Sequence, residues 1–395
     1  MSCNHTEDRM SFTGDATRTM PEDALRAPYY RLGCGLSRSL VAIHSGQCRV
    51  AFLGGSITAM PGWRAMVCDD LEAQFPDTQF DFIDAGIGGT NSTYGTFRFE
   101  RDVCCHGCVD LLFLEFAVND SRRTGKPGNE LRTKAFEGII RQAIALNPQI
   151  DIIVQYLCDA SKVEAYAQGM EPGPITDHEA VVRHYDLPVI NQATAVIAGL
   201  NAKEFVWKEF SCDSCHPAPF GHNRYVREIK TLLAEAWGAD ALPIAVAMTL
   251  PPPLHCDHLG RVRLVSSSEA AIKSGWEFVK GWEAEKVCNY SGPVDVFTAK
   301  TAGAELEFAF NGSMLALSAI AGMDAGTLEI ILDGGPHTFF DLFDEHCPKF
   351  HRPVFPVLLS GLPEGGHTVH IRLAAESNPE SAGTAARILA FGVKR

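Results

Sequence analysis

No apolar run in the chain approaches the roughly 20 residues needed to span a bilayer. The opening stretch, MSCNHTEDRMSFTGDATRTM, is polar and mixed in charge, with no apolar core of a secretory signal in view. Basic charge is scarce. Lys and Arg total 34 against 48 Asp and Glu, giving a net charge of −14 and an isoelectric point near 5.4. An acidic surface repels phosphate backbones and anionic headgroups, so neither nucleic acid nor membrane is an expected partner. There are no repeats and no low-complexity segments. The 13 cysteines are scattered, odd in number and too sparse for a disulfide scaffold. With no export signal in view, reduced thiols and a cytoplasmic location are the expectation.

What remains is an ordinary globular balance, 46% hydrophobic and 21% charged, in 395 residues, enough for two domains or more. The first part alternates short apolar runs with helical patterns, which suggests a parallel sheet wrapped by helices. CRVAFLGG (48–55) reads as a buried strand ending in two glycines. PGWRAMVCDDLEAQF follows with Trp63, Met66, Val67, Leu71 and Phe75 on one helical stripe. FDFIDAGIGG (80–89) is the next strand and glycine turn, and TYGTFRFERDVC reads as a helix. VDLLFLEFAVND (109–120) is nearly continuous in its apolar residues, as a central strand covered on both faces must be. DIIVQYLCD and LPVIN are further strands, and GHNRYVREIKTLLAEAWG closes the unit as a helix.

The texture then changes. LPIAVAMTLPPPLHCDHLG holds three consecutive prolines and reads as an extended linker or crossing segment. Beyond it the hydrophobic period becomes two. In AELEFAFNGSMLALSAI, Leu306, Phe308 and Phe310 alternate with Glu305, Glu307 and Ala309, and Asn311-Gly312 signals a hairpin. The expected layout is an N-terminal extension (1–45), an α/β domain (46–241), a Pro-rich linker (242–257) and an antiparallel β-sandwich (258–395).

Four short stretches carry chemistry. In FLGGSIT, Ser56 follows a buried strand and two glycines, at the carboxyl edge where open α/β sheets place their ligands. A serine there is either a nucleophile or the N-cap of the next helix. GGSIT has neither the Walker lysine nor G-x-G-x-x-G spacing, so a phosphate cradle is disfavoured. DAGIGGTNS is a second glycine turn, able to aim a backbone N–H into the same crevice or to be a turn and nothing more. AVND puts Asn119 at the tip of the third strand, where its amide can donate to a developing oxyanion or cap the next loop. In SCDSCHPAPFGH, Asp213 and His216 are three apart, a spacing that lets the carboxylate hold one imidazole nitrogen and leaves the other for a serine. A surface pair beside a proline is the plainer alternative.

Taken in order and at strand ends, GGSIT, GIGGTNS, AVND and DSCHP…GH resemble the four blocks of the SGNH hydrolases, also called the GDSL esterase/lipase family. The resemblance covers residues ~48–237. It implies a flavodoxin-like α/β/α sandwich around a parallel sheet of about five strands. It differs from the α/β-hydrolase elbow G-x-S-x-G, because Ile57-Thr58 follow Ser56. The family's roles fall on Ser56 as nucleophile, His216 as general base and acid, and Asp213 as the residue that orients His216. The oxyanion hole falls on the backbone N–H groups of Ser56 and Gly89 and the side chain of Asn119. The reaction so implied is hydrolysis of a small acyl ester, foremost a carbohydrate O-acetyl group, without metal or cofactor. The jelly-roll-like sandwich adds a second implication, that of a module binding carbohydrate or shaping the cleft. Two positions depart from the family pattern: Gly55 replaces an aspartate and Ala117 a glycine. They motivate an alternative, a glycan-binding protein with a degenerate hydrolase domain. An acyltransferase using the same triad is a further one.

Competing readings turn on cysteine and aromatic side chains. Cys212, Cys215 and His216 spell the C-x-x-C-H of a c-type haem, but that would take His216 from Ser56 and needs export. Cys105 and Cys108 form a second C-x-x-C, so a zinc site is conceivable. The two pairs, however, are expected at opposite edges of the sheet, roughly 20 Å apart. Unligated thiols are the expectation. Phe339, Phe340, Phe343, Trp276 and Trp282 could stack on sugars, but sandwich core is the favoured reading. Oligomeric state and the identity of the alcohol are not written in the sequence.

Overall fold

A computed structural model describes residues 16–19, 25–121, 128–244, 246–284 and 293–395 of the chain. In chain order the α/β part contains β1 (Ala16–Thr19), β2 (Tyr30–Arg31), α1 (Ser37–His44), β3 (Gln47–Gly54), α2 (Ser56–Ala59), α3 (Trp63–Gln74), β4 (Gln79–Gly86) and α4 (Ser92–Asp102). It continues with β5 (Leu111–Leu114), α5 (Gly128–Leu146), β6 (Asp151–Gln155), α6 (Ala160–Ala167), β7 (Met170–Pro172), α7 (Gly173–His184), β8 (Val189–Ile190), α8 (Gln192–Asn201), α9 (Trp207–Phe210) and α10 (Pro219–Ala236).

The main sheet runs β2-β8-β6-β5-β3-β4, and β1 pairs with β7 in a separate ribbon. All neighbours within β4-β3-β5-β6-β8 are parallel, which is the flavodoxin-like strand order, and β2 adds an antiparallel edge. Residues ahead of position 46 therefore contribute a strand and a helix to this domain. Every residue of β5 is buried, as its continuous apolar run requires of a strand covered on both faces. The stripe on α3 splits by depth: Trp63, Val67 and Leu71 are buried, whereas Met66 and Phe75 are half-covered at its margin.

His222 pins α3 to α10. Its Nδ1 accepts the backbone N–H of Trp63 at 3.1 Å, and burial lowers its pKa. A histidine harder to protonate folded than unfolded contributes stability that is present above the unfolded pKa and is lost progressively as pH falls from there through the lower folded pKa. The thermal midpoint should therefore drop between pH 7 and pH 5 more steeply in the wild type than in His222→Asn, which keeps an acceptor but cannot titrate. Equal slopes would contradict this.

The rest of the chain holds β9 (Val262–Ser266), β10 (Ala271–Ser274), β11 (Glu277–Trp282), β12 (Val294–Ala299), β13 (Glu305–Asn311), β14 (Met314–Ala321), β15 (Thr327–Leu332), β16 (His337–Asp341), β17 (Arg352–Val354), β18 (Val357–Ser360), β19 (Gly366–Leu373) and β20 (Ala386–Lys394). One sheet runs β10-β13-β19-β15-β16 and the other β11-β12-β20-β14-β17, with β9 on β20 and β18 on β14. All these pairings are antiparallel, and Leu306, Phe308, Leu317, Ile371 and Phe391 fill the space between the sheets. Asn311-Gly312 does turn the chain, but β13 and β14 lie in different sheets, so the turn is an arch between sheets and not a hairpin. The reason is burial. β13 alternates inward and outward, whereas β14 is buried throughout because its second face meets the α/β domain.

That meeting is apolar and specific. Phe97, Ala135, Leu259, Val262 and Met314 form a shared cluster, with Phe355 packed against it. Tyr94 stacks on Phe355 at 4.4 Å and shares a 2.7 Å hydrogen bond with Ser318. The proline-rich stretch is tied along α5: Glu137 accepts the N–H groups of Leu254 and His255, and Arg141 donates to the carbonyl of Pro251. It is a strap between domains, not a free tether.

Candidate active site

β3 and β5 are neighbours at the point where the strand order reverses, and their carboxyl ends open one crevice. β3 ends at Gly54, Gly55 caps the short helix α2, and Ser56 is the first residue of that helix. Ser56 is thus not the N-cap. Beyond β5, Asn119 opens a 3₁₀ turn over Asn119–Ser121. Glu115 shapes the approach by accepting the N–H of Val118 at 3.2 Å, and burial pushes its carboxyl up to about 7.

The stretch between α9 and α10 folds into a tight loop. Ser211 Oγ donates toward the carbonyls of Asp213 and His216, and the N–H of Cys212 reaches the His216 carbonyl. This loop brings His216 Nε2 to 2.9 Å from Ser56 Oγ and His216 Nδ1 to 2.9 Å from Asp213 Oδ2. The second carboxylate oxygen of Asp213 accepts the N–H groups of Cys215 at 2.6 Å and His216 at 2.7 Å. Partial burial opposes ionisation of Asp213. Hydrogen bonds from the His216 ring and these two N–H groups outweigh it and hold the carboxyl well below the usual range. An ionised Asp213 only accepts, so Nδ1 carries the proton and Nε2 faces the serine as an acceptor. Because Asp213 and His216 are both partly exposed, this pair adds little to stability, and its consequence is the orientation of the ring.

The other two blocks converge on the same edge. Ile87 N–H donates to the carbonyl of Gly54, which lays the glycine turn against the start of α2. Gly89 adopts a left-handed φ of +73°, and Asn119 Nδ2 donates to the carbonyl of Thr90 at 2.7 Å. Among the described residues, the N–H groups of Ser56 and Gly89 have no protein acceptor. Gly55 matters for space, not for φ. A side-chain carbon there would lie 2.4 Å from Asn119 Nδ2, so the absent aspartate leaves the room that the amide occupies.

One buried group was not foreseen. Arg98 is completely buried in α4 and donates to the carbonyls of Gly54 and Ala85, tying the ends of β3 and β4 beneath the site. Burial lowers its pKa, with Asp102 one turn later opposing that effect. An arginine between Phe97 and Phe99, four residues before an aspartate, was the available signal.

Beside the Gly89 turn lies an open cleft of about 410 Å³ between the domains. Thr90, Tyr94, Arg132, Phe340, Phe343 and Phe355 are among the residues lining it. Phe343 and Trp276 belong to the sandwich core, and Phe340 packs on it while facing the cleft. Phe339 does not follow the core reading: it is 64% exposed on the edge strand β16. Trp282 is half-buried under Arg387. The two C-x-x-C pairs lie at opposite edges of the α/β sheet, one ahead of β5 and one in the His216 loop. Both nitrogens of His216 are engaged by protein groups. No group of three or more His, Cys, Asp and Glu side chains is gathered for a metal among the described residues.

Residues 52–224 match the GDSL-like lipase/acylhydrolase family. Comparison with curated proteins finds no match. Two crystal structures of a two-domain esterase (CEX) active on acetylated mannans are similar across both domains. One, co-crystallized with mannopentaose, aligns with a TM-score of 0.74 at 22% identity over 91% of this chain and 94% of that chain. The other aligns with a TM-score of 0.76 at 21% identity, over 92% of this chain and 96% of that one. At such identity the likeness establishes the fold.

Proposed function

We propose that this chain, whose residues 52–224 match the GDSL-like lipase/acylhydrolase family, is a carboxylic ester hydrolase that removes acetyl groups from a carbohydrate through an acyl-enzyme on Ser56. The observation that carries this reading is the unbroken chain Ser56 Oγ–His216 Nε2–His216 Nδ1–Asp213 Oδ2, each contact at 2.9 Å. Ser56 Oγ attacks the acyl carbonyl carbon while His216 Nε2 takes its proton. The carbonyl oxygen becomes an oxyanion facing the N–H groups of Ser56 and Gly89 and the amide of Asn119. Collapse breaks the bond to the alcohol, which leaves with the proton held by His216. Water then repeats the sequence on the acyl-enzyme and releases the carboxylic acid and free Ser56.

The cleft beside Gly89 suits the alcohol portion, since it offers aromatic walls and polar groups such as Thr90 and Asp344 at once. The similar two-domain esterase acts on acetylated mannans, so an acetylated mannan is the first substrate to try. The test is acetate release from acetylated manno-oligosaccharides and from p-nitrophenyl acetate. Turnover of both is expected, with kcat/KM falling on the acid side as the imidazole that must accept a proton becomes charged. Asp213 stays ionised there, so this limb is not set by its carboxylate. A profile flat from pH 5 to 8 would contradict His216 as base. Glycan binding without any turnover would favour the binding-module alternative, and transfer to an added alcohol in place of water the acyltransferase.

A further inference from the structure

Behind the Asn119 turn lies a polar cluster that the proposed reaction does not use. Asp120 is buried, and its Oδ1 accepts the N–H of Ser92 at 2.9 Å. Ser92 begins α4, immediately after the Gly89 turn. The other oxygen, Oδ2, is 2.8 Å from Nε2 of His178 in α7. Arg132 donates to the Asp120 carbonyl at 2.9 Å and is itself held by Asp177, the neighbour of His178, at 2.7 and 2.9 Å. The two loops bearing the outer oxyanion donors are thus cross-tied twice, once by Asn119 Nδ2 to Thr90 and once by Asp120 to Ser92. His178 is the anchor of the second tie.

His178 is an expensive way to fill this space. Its ring is fully buried and stacked on Phe136 at 3.9 Å, while its Nδ1 has no partner among the described residues. A buried acceptor without a donor costs about 1–3 kcal/mol. An apolar ring would pack against Phe136 without that cost. What it would lose is the N–H that faces Asp120. A residue that breaks a local packing rule is expected where function needs it.

We propose that His178 is a positioning residue for the oxyanion hole: through Asp120 it fixes the Gly89 and Asn119 turns relative to each other. This rests on the ester-hydrolase reading of Ser56. Because the developing negative charge exists only in the transition state, slack between the two turns lowers kcat and leaves KM alone.

The test compares the wild type, His178→Phe and His178→Gln on p-nitrophenyl acetate, with thermal midpoints measured alongside. His178→Phe keeps the stacking and loses the N–H, so kcat should fall about 10- to 100-fold with KM within about twofold. His178→Gln, whose amide can reach Asp120, should retain kcat within about threefold. Asp120→Asn tests the same contact from the other side. With its oxygen on the Ser92 N–H, its amide N–H₂ would oppose Nε2–H, and moving the ring proton to Nδ1 would bury an unpaired donor. It should therefore lower kcat about tenfold at unchanged KM, and it decides the matter if His178→Phe does not fold. The proposal is overturned if the folded variants keep wild-type kcat, or if Gln fails to rescue a loss seen with Phe. A wild type without esterase activity would instead overturn the underlying reading.

Discussion

Ser56→Ala should lower kcat for acetyl esters by at least about 10⁴-fold while leaving glycan affinity unchanged. In the proposed reaction the acyl-enzyme forms on this hydroxyl, and deleting it removes no wall of the inter-domain cleft, whose lining does not include Ser56. His216→Ala should cost about as much, and the double variant little more, because the two act as one device. Calorimetry on manno-oligosaccharides with Ser56→Ala separates the two roles. Lost binding together with lost turnover would mean that Ser56 supports the site's structure and not its chemistry.

The second large effect is expected at Gly55. Its φ of −90° and ψ of −150° are open to alanine, so Gly55→Ala introduces no backbone strain. The new carbon, however, would lie 2.4 Å from Nδ2 and 3.1 Å from Cγ of Asn119. Asn119 is buried and tied to Thr90, so its amide can yield only by leaving the position it holds against the Ser56 turn. Gly55→Ala should lower kcat about 100-fold with little change in KM or thermal midpoint. Asn119→Ala should cost about 10²–10³-fold by itself. In that background Gly55→Ala should add almost nothing, because the amide it displaces is gone. Additive losses would show that Gly55 acts through something other than Asn119.

Much of this architecture was legible because its signals are local. The apolar run through Leu111–Leu114 and the stripe on α3 state their burial in the period of their residues. The alternation of Leu306, Phe308 and Phe310 does the same for β13. Ser56, Asn119, Asp213 and His216 were marked by strand-end position and spacing, and Gly89 by the resemblance of GIGGTNS to a family block. What stayed hidden depends on partners distant in sequence. The arch at Gly312 needs the α/β domain to cover β14. β2 is two residues long and exists only because β8 offers it an edge. Arg98 and His178 read as ordinary helical residues until the carbonyl of Gly54 and the carboxyl of Asp120 are seen beside them. The aromatic residues divided for the same reason: period alone does not distinguish Phe343 in the core from Phe339 on an edge strand.

The central claim is that Ser56 is a nucleophile activated by His216. The most direct measurement is treatment of the wild type with a serine-directed fluorophosphonate, followed by peptide mass spectrometry and residual activity. One adduct per chain on the Ser56 peptide is expected, appearing in step with loss of activity and absent from His216→Ala. Full activity after prolonged treatment, or an adduct confined to another residue, would contradict the account.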